Sequence, residues 1–248
     1  MKTELFISDP HIPYHDKNSW DITLKIAKHI NPDIVYFGGD TIDCLSVAHW
    51  TKDPNRELNF QDEINQTVEC LTQYRDAFPR ATFYHRKGNH ELRLQKFLWE
   101  RAKEISVLKC LDLDELLEFK KLHIESHDGG PSRAPHKIGK LNHLHGDELQ
   151  LGSNVIQIAV SAYRKANVNL IFGHHHAFQT YFKRDLNGND RGVWVNGCLC
   201  ALNADYMPVP NWQRGFSIIT YASSGYFNVQ QVPFFNGKVI FDNKLYEP

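Results

Sequence analysis

The sequence has little net charge, no long apolar run and no sign of an export segment. Among 248 residues, 28 Lys and Arg against 29 Asp and Glu give a formal charge of -1 at pH 7. This balance argues against a strongly basic surface that holds long nucleic acid through counterion release, although it allows local basic patches. No apolar run reaches the length of a membrane span, and MKTELFISDPH lacks the apolar core of a signal peptide. We therefore expect a cytoplasmic protein without membrane contacts.

The cysteines lack the spacing of a disulfide framework. Five of them are scattered along a chain long enough to bury a sizeable core without cross-links. Cys198 and Cys200 form a CxC that suggests zinc, but no second pair complements it, which favours small half-buried residues at a strand end. Hydrophobic residues at 42% and charged residues at 23% are typical of a globular protein. We expect one domain over residues 1–248.

The first third of the chain alternates predicted strands and helices. TELFISD and DIVYFGGD have the pattern of buried strands that end on Asp9 and Asp40, with helical spacing of apolar residues over 19–30 between them. A second helix is expected over 57–78, and ATFYHRKGNH supplies a third strand and a loop. This order predicts parallel strands joined by helices.

The remaining segments predict features around the ends of these strands. Helical stretches are expected to cover one side of the site around 91–118, and a Gly/Pro-rich loop around 125–140 is the candidate mobile segment. One further helix is expected near 151–165. After it, β-rich stretches separated by glycine turns predict antiparallel hairpins.

Five short motifs each follow a predicted strand: DPH, GDTID, GNHE, HGD and GHHH. Loops beyond the carboxyl ends of strands are where ligands gather in α/β sheets. Asp, His and Asn together form a mixed oxygen and nitrogen set that suits Mn²⁺, Fe or Zn²⁺. In an extended Asp-x-His or His-x-His, side chains two residues apart point the same way, so both can reach one site. His174 and His176 would then be ligands, and His175 would face away. Each motif alone is weak, but all five in this order indicate a metal site.

The motif series resembles that of the calcineurin-like metallophosphoesterases and spans Asp9 to His176. The resemblance implies a four-layer α/β/β/α sandwich of two mixed sheets flanked by helices, with two divalent ions between the sheets. Mn²⁺ is the first choice, with Fe, Zn or Ni as alternatives. The implied ligands are Asp9, His11 and His176 for one ion, Asn89, His145 and His174 for the other, and Asp40 as the bridge. The implied catalytic residues are His90, which acts on the substrate, and Asp43, which orients it.

Two ions roughly 3.5 to 4 Å apart can share a solvent molecule and clamp phosphate oxygens. The expected reaction is therefore hydrolysis of a phosphate ester by metal-bound hydroxide, with His90 contributing about 10²- to 10⁴-fold as an acid. Simpler roles stay open for the neighbouring residues. Asp43 could cap a helix instead of orienting His90. Glu91 could be a first-turn helix residue or a partner that supports a ligand, and His15 could touch the substrate or be a loop histidine without a role.

The substrate class depends on one departure from the protein phosphatase pattern. Serine/threonine protein phosphatases usually carry an arginine directly after the second aspartate, where this chain has Cys44. We therefore expect a phosphodiesterase or nuclease acting on nucleotides or single-stranded nucleic acid. The alternatives are a phosphomonoesterase of the protein phosphatase type and a non-catalytic metal-binding scaffold. Arginines that could hold the phosphate instead are Arg86, Arg93 and Arg133. Aromatic residues that could stack on a base, or simply pack, are Trp99, Tyr206 and Trp212.

Overall fold

Two β-sheets lie face to face in the computed structural model, which describes residues 1–49, 58–128, 133–152, 155–202 and 211–248. The strands are β1 (Lys2–Ile7), β2 (Ile34–Phe37), β3 (Thr82–His85), β4 (Ile124–Ser126), β5 (His136–Ile138), β6 (Leu141–His143), β7 (Leu170–Phe172), β8 (Gln179–Arg184), β9 (Asp190–Val195), β10 (Gly215–Tyr221), β11 (Phe227–Pro233), β12 (Val239–Phe241) and β13 (Lys244–Tyr246). The helices are α1 (Lys17–Ile30), α2 (Phe60–Ala77), α3 (Leu92–Arg101), α4 (Leu113–Leu116) and α5 (Ile158–Ala166). Short 3₁₀ turns occupy Leu45–Val47, Lys103–Ile105, Lys109–Leu111 and Asp147–Leu149.

Both large sheets are mixed. The first has the order β11-β10-β1-β2-β3-β4, in which β1 to β4 run parallel and β10 is antiparallel to β1. The second has the order β5-β6-β7-β9-β8, with β6, β7 and β9 parallel and an antiparallel strand at each edge. Strands β12 and β13 form a separate hairpin. The predicted sandwich of two mixed sheets flanked by helices is confirmed.

The alternation of side chains along the strands creates the layers. In β1, Leu5 and Ile7 pack with the helices α1 and α2, whereas Phe6 faces the second sheet. In β2, Val35 packs with the helices and Tyr36 faces the second sheet, because successive side chains of a strand point to opposite faces. A third core joins the outer face of the second sheet to α5. The sequence of layers is therefore helices, sheet, sheet and helix.

The helices differ in extent from the sequence predictions. Helix α2 fits the predicted span where it is described, since Asn59 caps it in a reciprocal pair with Asp62, while residues 50–57 lie outside the described part. Of the helical stretches predicted around 91–118, the C-terminal one forms only the single turn α4. The segment around 125–140 contains the end of β4 and all of β5, and residues 129–132 lie outside the described part.

The helix predicted near 151–165 begins only at Ile158. Within the part of the chain that the structure describes, no helix combines the length and apolar character that crossing a membrane requires.

Candidate metal centre

The five motifs follow five strands that run in parallel groups. Strands β1, β2 and β3 are parallel neighbours in the first sheet, and β6 and β7 are parallel neighbours in the second. Parallel strands end at the same edge of a sheet, so each group delivers its following loops to one place. The two edges meet because the sheets lie face to face. The predicted ligands, 165 residues apart between Asp9 and His174, are thereby brought into hydrogen-bond contact.

The loops carry these side chains on left-handed backbone. The φ angles are 54° at Asp9, 51° at His11, 65° at His174 and 52° at His176. The prediction that extended Asp-x-His and His-x-His segments aim both side chains at one site is therefore wrong in its geometry. Sharp turns at these residues aim them instead. Non-glycine residues adopt this conformation at a cost of order 1 to 3 kcal/mol each, and such residues cluster at functional sites.

Two glycines allow the loops to approach each other closely. A Cβ added to Gly88 would lie 2.2 Å from Oδ1 of Asp40, and one added to Gly173 would lie 2.2 Å from Oδ2 of Asp9. Real Cβ atoms do not come so near a carboxylate oxygen. The glycines of GNHE and GHHH therefore leave space for the two aspartates.

One group of potential ligands consists of Asp9, His11 and His176. Each residue offers a ligand atom, and these atoms lie within 4.8 Å of one another. Nε2 of His11 is 3.2 Å from Nε2 of His176, which in turn is 3.4 Å from Oδ1 of Asp9. All three residues are buried. This is the set that the family resemblance implies for the first ion.

A second group consists of Asp40, His145 and His174, again within 4.8 Å of one another. Nε2 of His145 is 3.2 Å from Oδ2 of Asp40 and 3.3 Å from Oδ1 of Asn89. The same Asp40 oxygen is 3.9 Å from Nε2 of His11 in the first group. Asp40 thus stands between the two groups, in the position of the implied bridge.

Hydrogen bonds behind the histidine rings orient them. Nδ1 of His11 lies 3.2 Å from a carboxylate oxygen of Asp43, and Nδ1 of His145 lies 3.0 Å from the carbonyl oxygen of Gly38. Each Nδ1–H therefore has an oxygen acceptor, which leaves the Nε2 lone pair directed into the site. This arrangement is usual for histidines that bind metals.

Glu91 supports the centre from below. Its buried carboxylate accepts the backbone N–H groups of Asp40 at 2.9 Å, Thr41 at 2.6 Å and Gly88 at 2.8 Å. Burial alone raises the pKa of Glu91, but the hydrogen bond and charge of His85 hold it below its ordinary value. Of the two roles left open by the sequence, the structure favours a partner of the site. The sequence alone could not distinguish the two roles, because Glu91 also lies at the N-terminus of α3, where an acidic residue is favoured in any helix.

Asp43 contacts three side chains instead of capping a helix. Its carboxylate lies 3.2 Å from Nδ1 of His11, 3.5 Å from Nδ1 of His90 and 3.1 Å from Nη1 of Arg93. The following 3₁₀ turn begins after Cys44, which makes no side-chain cap. Burial raises the pKa of Asp43, yet hydrogen bonds from His11 and His90 hold it well below its ordinary value. Asp43 is therefore ionised at neutral pH.

His90 lies against both Asp40 and Arg93. Its Nε2 is 3.7 Å from Oδ2 of Asp40, and its backbone N–H donates to Oδ1 of the same residue at 2.8 Å. Arg93 places Nη2 at 2.8 Å from the Nε2 atom of His90. Since a guanidinium only donates, this ring nitrogen accepts, and Nδ1 donates to the carbonyl oxygen of Asp43 at 3.0 Å. His90 also forms a possible ligand group with His11 and Asp40.

The three candidate arginines have different surroundings. Arg86 is fully buried and donates to Glu148 and to three backbone carbonyls. Arg133 pairs with Asp147 and with the carbonyl oxygen of Lys87. Both hold the loops around His145 in place, whereas Arg93 reaches the His90 ring. Cys44, at the position of the protein phosphatase arginine, is fully buried.

The aromatic residues and the histidine considered as substrate contacts have different surroundings. Trp212 packs edge-on against His176 with ring centroids 4.4 Å apart, whereas Trp99 on α3 is more than half exposed. Tyr206 lies outside the described residues. His15 packs against Trp20 and lies 3.9 Å from the sulfur of Cys70, which fits a packing role. The exposed Trp99 lines a cavity of about 320 Å³ between α3 and the residues up to Leu113.

The donor set fits divalent cations. The Nε2 atoms of His11 and His176 are 3.2 Å apart and cannot both point a proton at each other, and buried carboxylates face them. Although burial raises the pKa of Asp9, the charge and hydrogen bond of His176 lower it to about 2, so the carboxylate is ionised at neutral pH. Convergent ionised carboxylates and imidazole lone pairs of this kind suit Mn²⁺, Fe or Zn²⁺.

A family model described as calcineurin-like phosphoesterase matches residues 4–191. Among solved structures, Vps29 from Entamoeba histolytica complexed with Zn²⁺ is similar at 14% identity and a TM-score of 0.47, covering 98% of this chain and 96% of that one. YfcE, a phosphoesterase from E. coli, is similar at 13% identity and a TM-score of 0.42, covering 93% and 98%. No curated protein matches the sequence significantly.

Proposed function

Since this chain belongs to the calcineurin-like phosphoesterase family, we propose that it hydrolyses phosphate esters at a pair of divalent metal ions. We propose further that its substrate is a phosphodiester, in a nucleotide or in single-stranded nucleic acid. The observation that carries the proposal is the convergence of two largely buried ligand groups on Asp40. The proposed ligands are Asp9, His11, Asp40, Asn89, His145, His174 and His176.

The bound ions would supply Lewis acidity and a nucleophile at neutral pH. The chain itself contributes orientation and a proton. His11 and His145 hold their Nε2 atoms inward through Asp43 and Gly38. Once Arg93 has left Nε2, that atom can take a proton from solvent, and His90 would give this proton to the departing oxygen while Asp43 holds Nδ1 of the ring.

Arg93 is the residue we assign to a non-bridging phosphate oxygen. In the structure its Nη2 covers the His90 ring atom that would face the leaving group. A phosphate in the site offers the guanidinium a stronger, charge-assisted acceptor than a neutral imidazole does. Arg93 would therefore turn from His90 to the substrate, and this movement would leave Nε2 of His90 free to act.

The charge around Arg93 favours a diester over a monoester. Asp43 lies 3.1 Å from its guanidinium and offsets part of the positive charge. Arg86 and Arg133 are engaged by acidic side chains, and Cys44 contributes no charge. A diester phosphate carries one negative charge and a monoester close to two. The singly charged group therefore needs less compensation from the protein.

The decisive experiment combines metal removal with a substrate panel. We expect the chelated protein to be inactive and Mn²⁺ to restore hydrolysis of an aryl phosphodiester in preference to an aryl monoester and a phosphopeptide, with single-stranded DNA as a fourth substrate. Asp40→Asn should remove most of the activity, and His90→Ala should lower it by about 10²- to 10⁴-fold. His29→Ala and Asp242→Asn, which alter an exposed ion pair, serve as matched controls. Full activity of the two site variants under chelation would refute the assignment.

Two outcomes would replace parts of the proposal. Preference for the monoester or phosphopeptide would favour a phosphatase of the protein phosphatase type. Binding of two ions without hydrolysis of any of the four substrates would favour a metal-binding scaffold.

Arg93→Lys should raise KM for the diester more than Arg101→Ala does, because Arg101 lies at the far end of the same helix. The cytoplasmic location and the cover around 91–118 remain predictions.

A further inference from the structure

His176 lies between two sets of donor atoms. Its Nε2 faces Asp9 and His11, as described above. Its Nδ1 faces the other way and lies 3.9 Å from the sulfur of Cys200. Potential ligand atoms of His176, Cys198 and Cys200 lie within 4.8 Å of one another, and all three residues are buried. The CxC that the sequence leaves without a partner thus acquires a histidine from a distant loop.

The sulfur atoms make His176 different from its neighbours. The rings of His11 and His145 have oxygen acceptors behind them, a carboxylate and a backbone carbonyl. Behind His176 stands a thiol, which is a weak hydrogen-bond acceptor. A weak hydrogen-bond acceptor does little to fix the orientation of an imidazole ring. Two sulfur atoms and an imidazole nitrogen are, in contrast, a common ligand set for soft metal ions.

Backbone hydrogen bonds hold the CxC segment in place. The N–H of Cys198 donates to the carbonyl oxygen of Gln213 at 2.9 Å, and that of Leu199 donates to the carbonyl oxygen of Asp9 at 3.2 Å. The N–H of Ala201 donates to the carbonyl oxygen of Tyr14 at 2.8 Å. All five cysteines are free thiols. The sulfur atoms are therefore presented to His176 by a fixed backbone.

We propose that Cys198, Cys200 and His176 form a separate site for a thiophilic cation such as Zn²⁺ or Cu⁺. Metal–sulfur and metal–nitrogen bonds of about 2.3 and 2.05 Å place the two donor atoms roughly 3.6 to 3.8 Å apart for tetrahedral or trigonal angles. The observed separation of 3.9 Å between the Cys200 sulfur and Nδ1 needs only a small contraction. The carbonyl oxygen of Gln213 lies 3.6 Å from the Cys198 sulfur and is a further potential ligand atom beside the group.

Binding at this site would alter the first ligand group. Both thiols would lose their protons to solvent, and Nδ1 of His176 would donate its lone pair while its proton moves to Nε2. Nε2 would then no longer be a free ligand on the Asp9 side. The shared ring would therefore oppose loading of the two sites at once, and a soft metal would act as an inhibitor of the proposed phosphoesterase. This consequence rests on the proposed function, whereas the thiolate site itself does not.

Cobalt distinguishes the two kinds of site, because only thiolate coordination gives an intense sulfur-to-cobalt absorption band. We would titrate the metal-free protein with Co²⁺ under a phosphine reductant, in a Cys110→Ser background that removes the exposed thiol. We expect the band to appear, to be lost in Cys198→Ser and in Cys200→Ser, and to persist in Cys70→Ser. Cys70 is a matched control because it is buried but lies outside the group.

A second measurement covers variants that fail to fold. The ¹¹³Cd nuclear resonance of the background protein should show a thiolate-bound ion without any change to the site. Absence of both signals, or a band that survives in both serine variants, overturns the inference. Mn²⁺ binding followed by electron paramagnetic resonance separates it from the proposed function. If the protein binds Mn²⁺ but gives no thiolate signal, the thiolate site is refuted and the proposed function stands. If it gives a thiolate signal but does not bind Mn²⁺, the proposed pair of ions is refuted and the thiolate site stands.

Discussion

Replacing Glu91 by glutamine tests how the centre is built. The substitution keeps the size of the side chain but supplies one acceptor oxygen instead of two. If the amide oxygen keeps the bonds to Asp40 and Gly88, the amide nitrogen must face the backbone N–H of Thr41, now 2.6 Å from Oε1. Two donors then oppose each other at a buried position.

The cost follows from that lost bond. A hydrogen bond to a charged acceptor contributes about 1.5 to 3 kcal/mol, and a buried donor without a partner costs about 1 to 3 kcal/mol. Since these contributions overlap, we expect the free energy of unfolding to fall by about 2 to 4 kcal/mol. In a chain of this size the Tm should fall by about 5 to 15 °C. The affinity for Mn²⁺ should drop about 10- to 100-fold, because Glu91 holds the backbone of the bridging Asp40.

Urea unfolding of the metal-free protein gives the stability, and Mn²⁺ titration gives the affinity. Glu63→Gln is the matched control, since its buried carboxylate accepts the backbone N–H groups of Leu45 and Ser46, which bear no proposed ligand. The control should lose stability of the same order and retain its Mn²⁺ affinity. An unchanged Mn²⁺ affinity in Glu91→Gln, or an equal loss in the control, would show that the reasoning about the support of Asp40 is wrong.

Three further predictions follow from particular contacts. Gly88→Ala should abolish Mn²⁺ binding in a titration, because its Cβ would come within 2.2 Å of a carboxylate oxygen of Asp40. Burial and the neighbouring His127 lower the pKa of His136 from 6.5 to about 4, so the folded state favours the neutral ring. The free energy of unfolding should therefore fall as the pH drops from 6.5 towards 4, and it should fall less in His136→Gln. Chelation should lower the Tm of the Mn²⁺-loaded protein, and excess Mn²⁺ should restore it, because the ligand groups are assembled only in the folded chain.

The strand pattern predicted parallel strands with polar residues beyond their ends, while the layers and the ligand set came from the resemblance of the motif series. The convergence of the motifs could be predicted because short apolar strands and polar residues beyond their ends are local features of the chain. The backbone geometry was not accessible in the same way. Left-handed conformations at Asp9 and His174 are imposed by contacts between loops, and local pattern gives no sign of them at non-glycine residues. The assumption of extended segments therefore failed although the convergence was correct.

Contacts between distant segments account for the other gaps. Nothing near Cys198 indicates that His176 stands behind it, since the two lie on separate loops that meet only in the folded sandwich. Arg86 and Arg133 could not be distinguished from Arg93 by their spacing from the motifs. Their acidic partners, Glu148 and Asp147, remove them from consideration only once the fold is known. Long-range pairings of this kind decide a role without leaving a local signature.

The place of β10 in the first sheet has a consequence for biosynthesis. This strand, which includes Tyr221, pairs with the very first strand through contacts such as that between Lys2 and Tyr221. A nascent chain emerging from the ribosome therefore carries every histidine of the centre before β1 has its second neighbour. Until then an apolar strand edge stays open to chaperones and to other chains, and the sheet can close only after β10 has been synthesised.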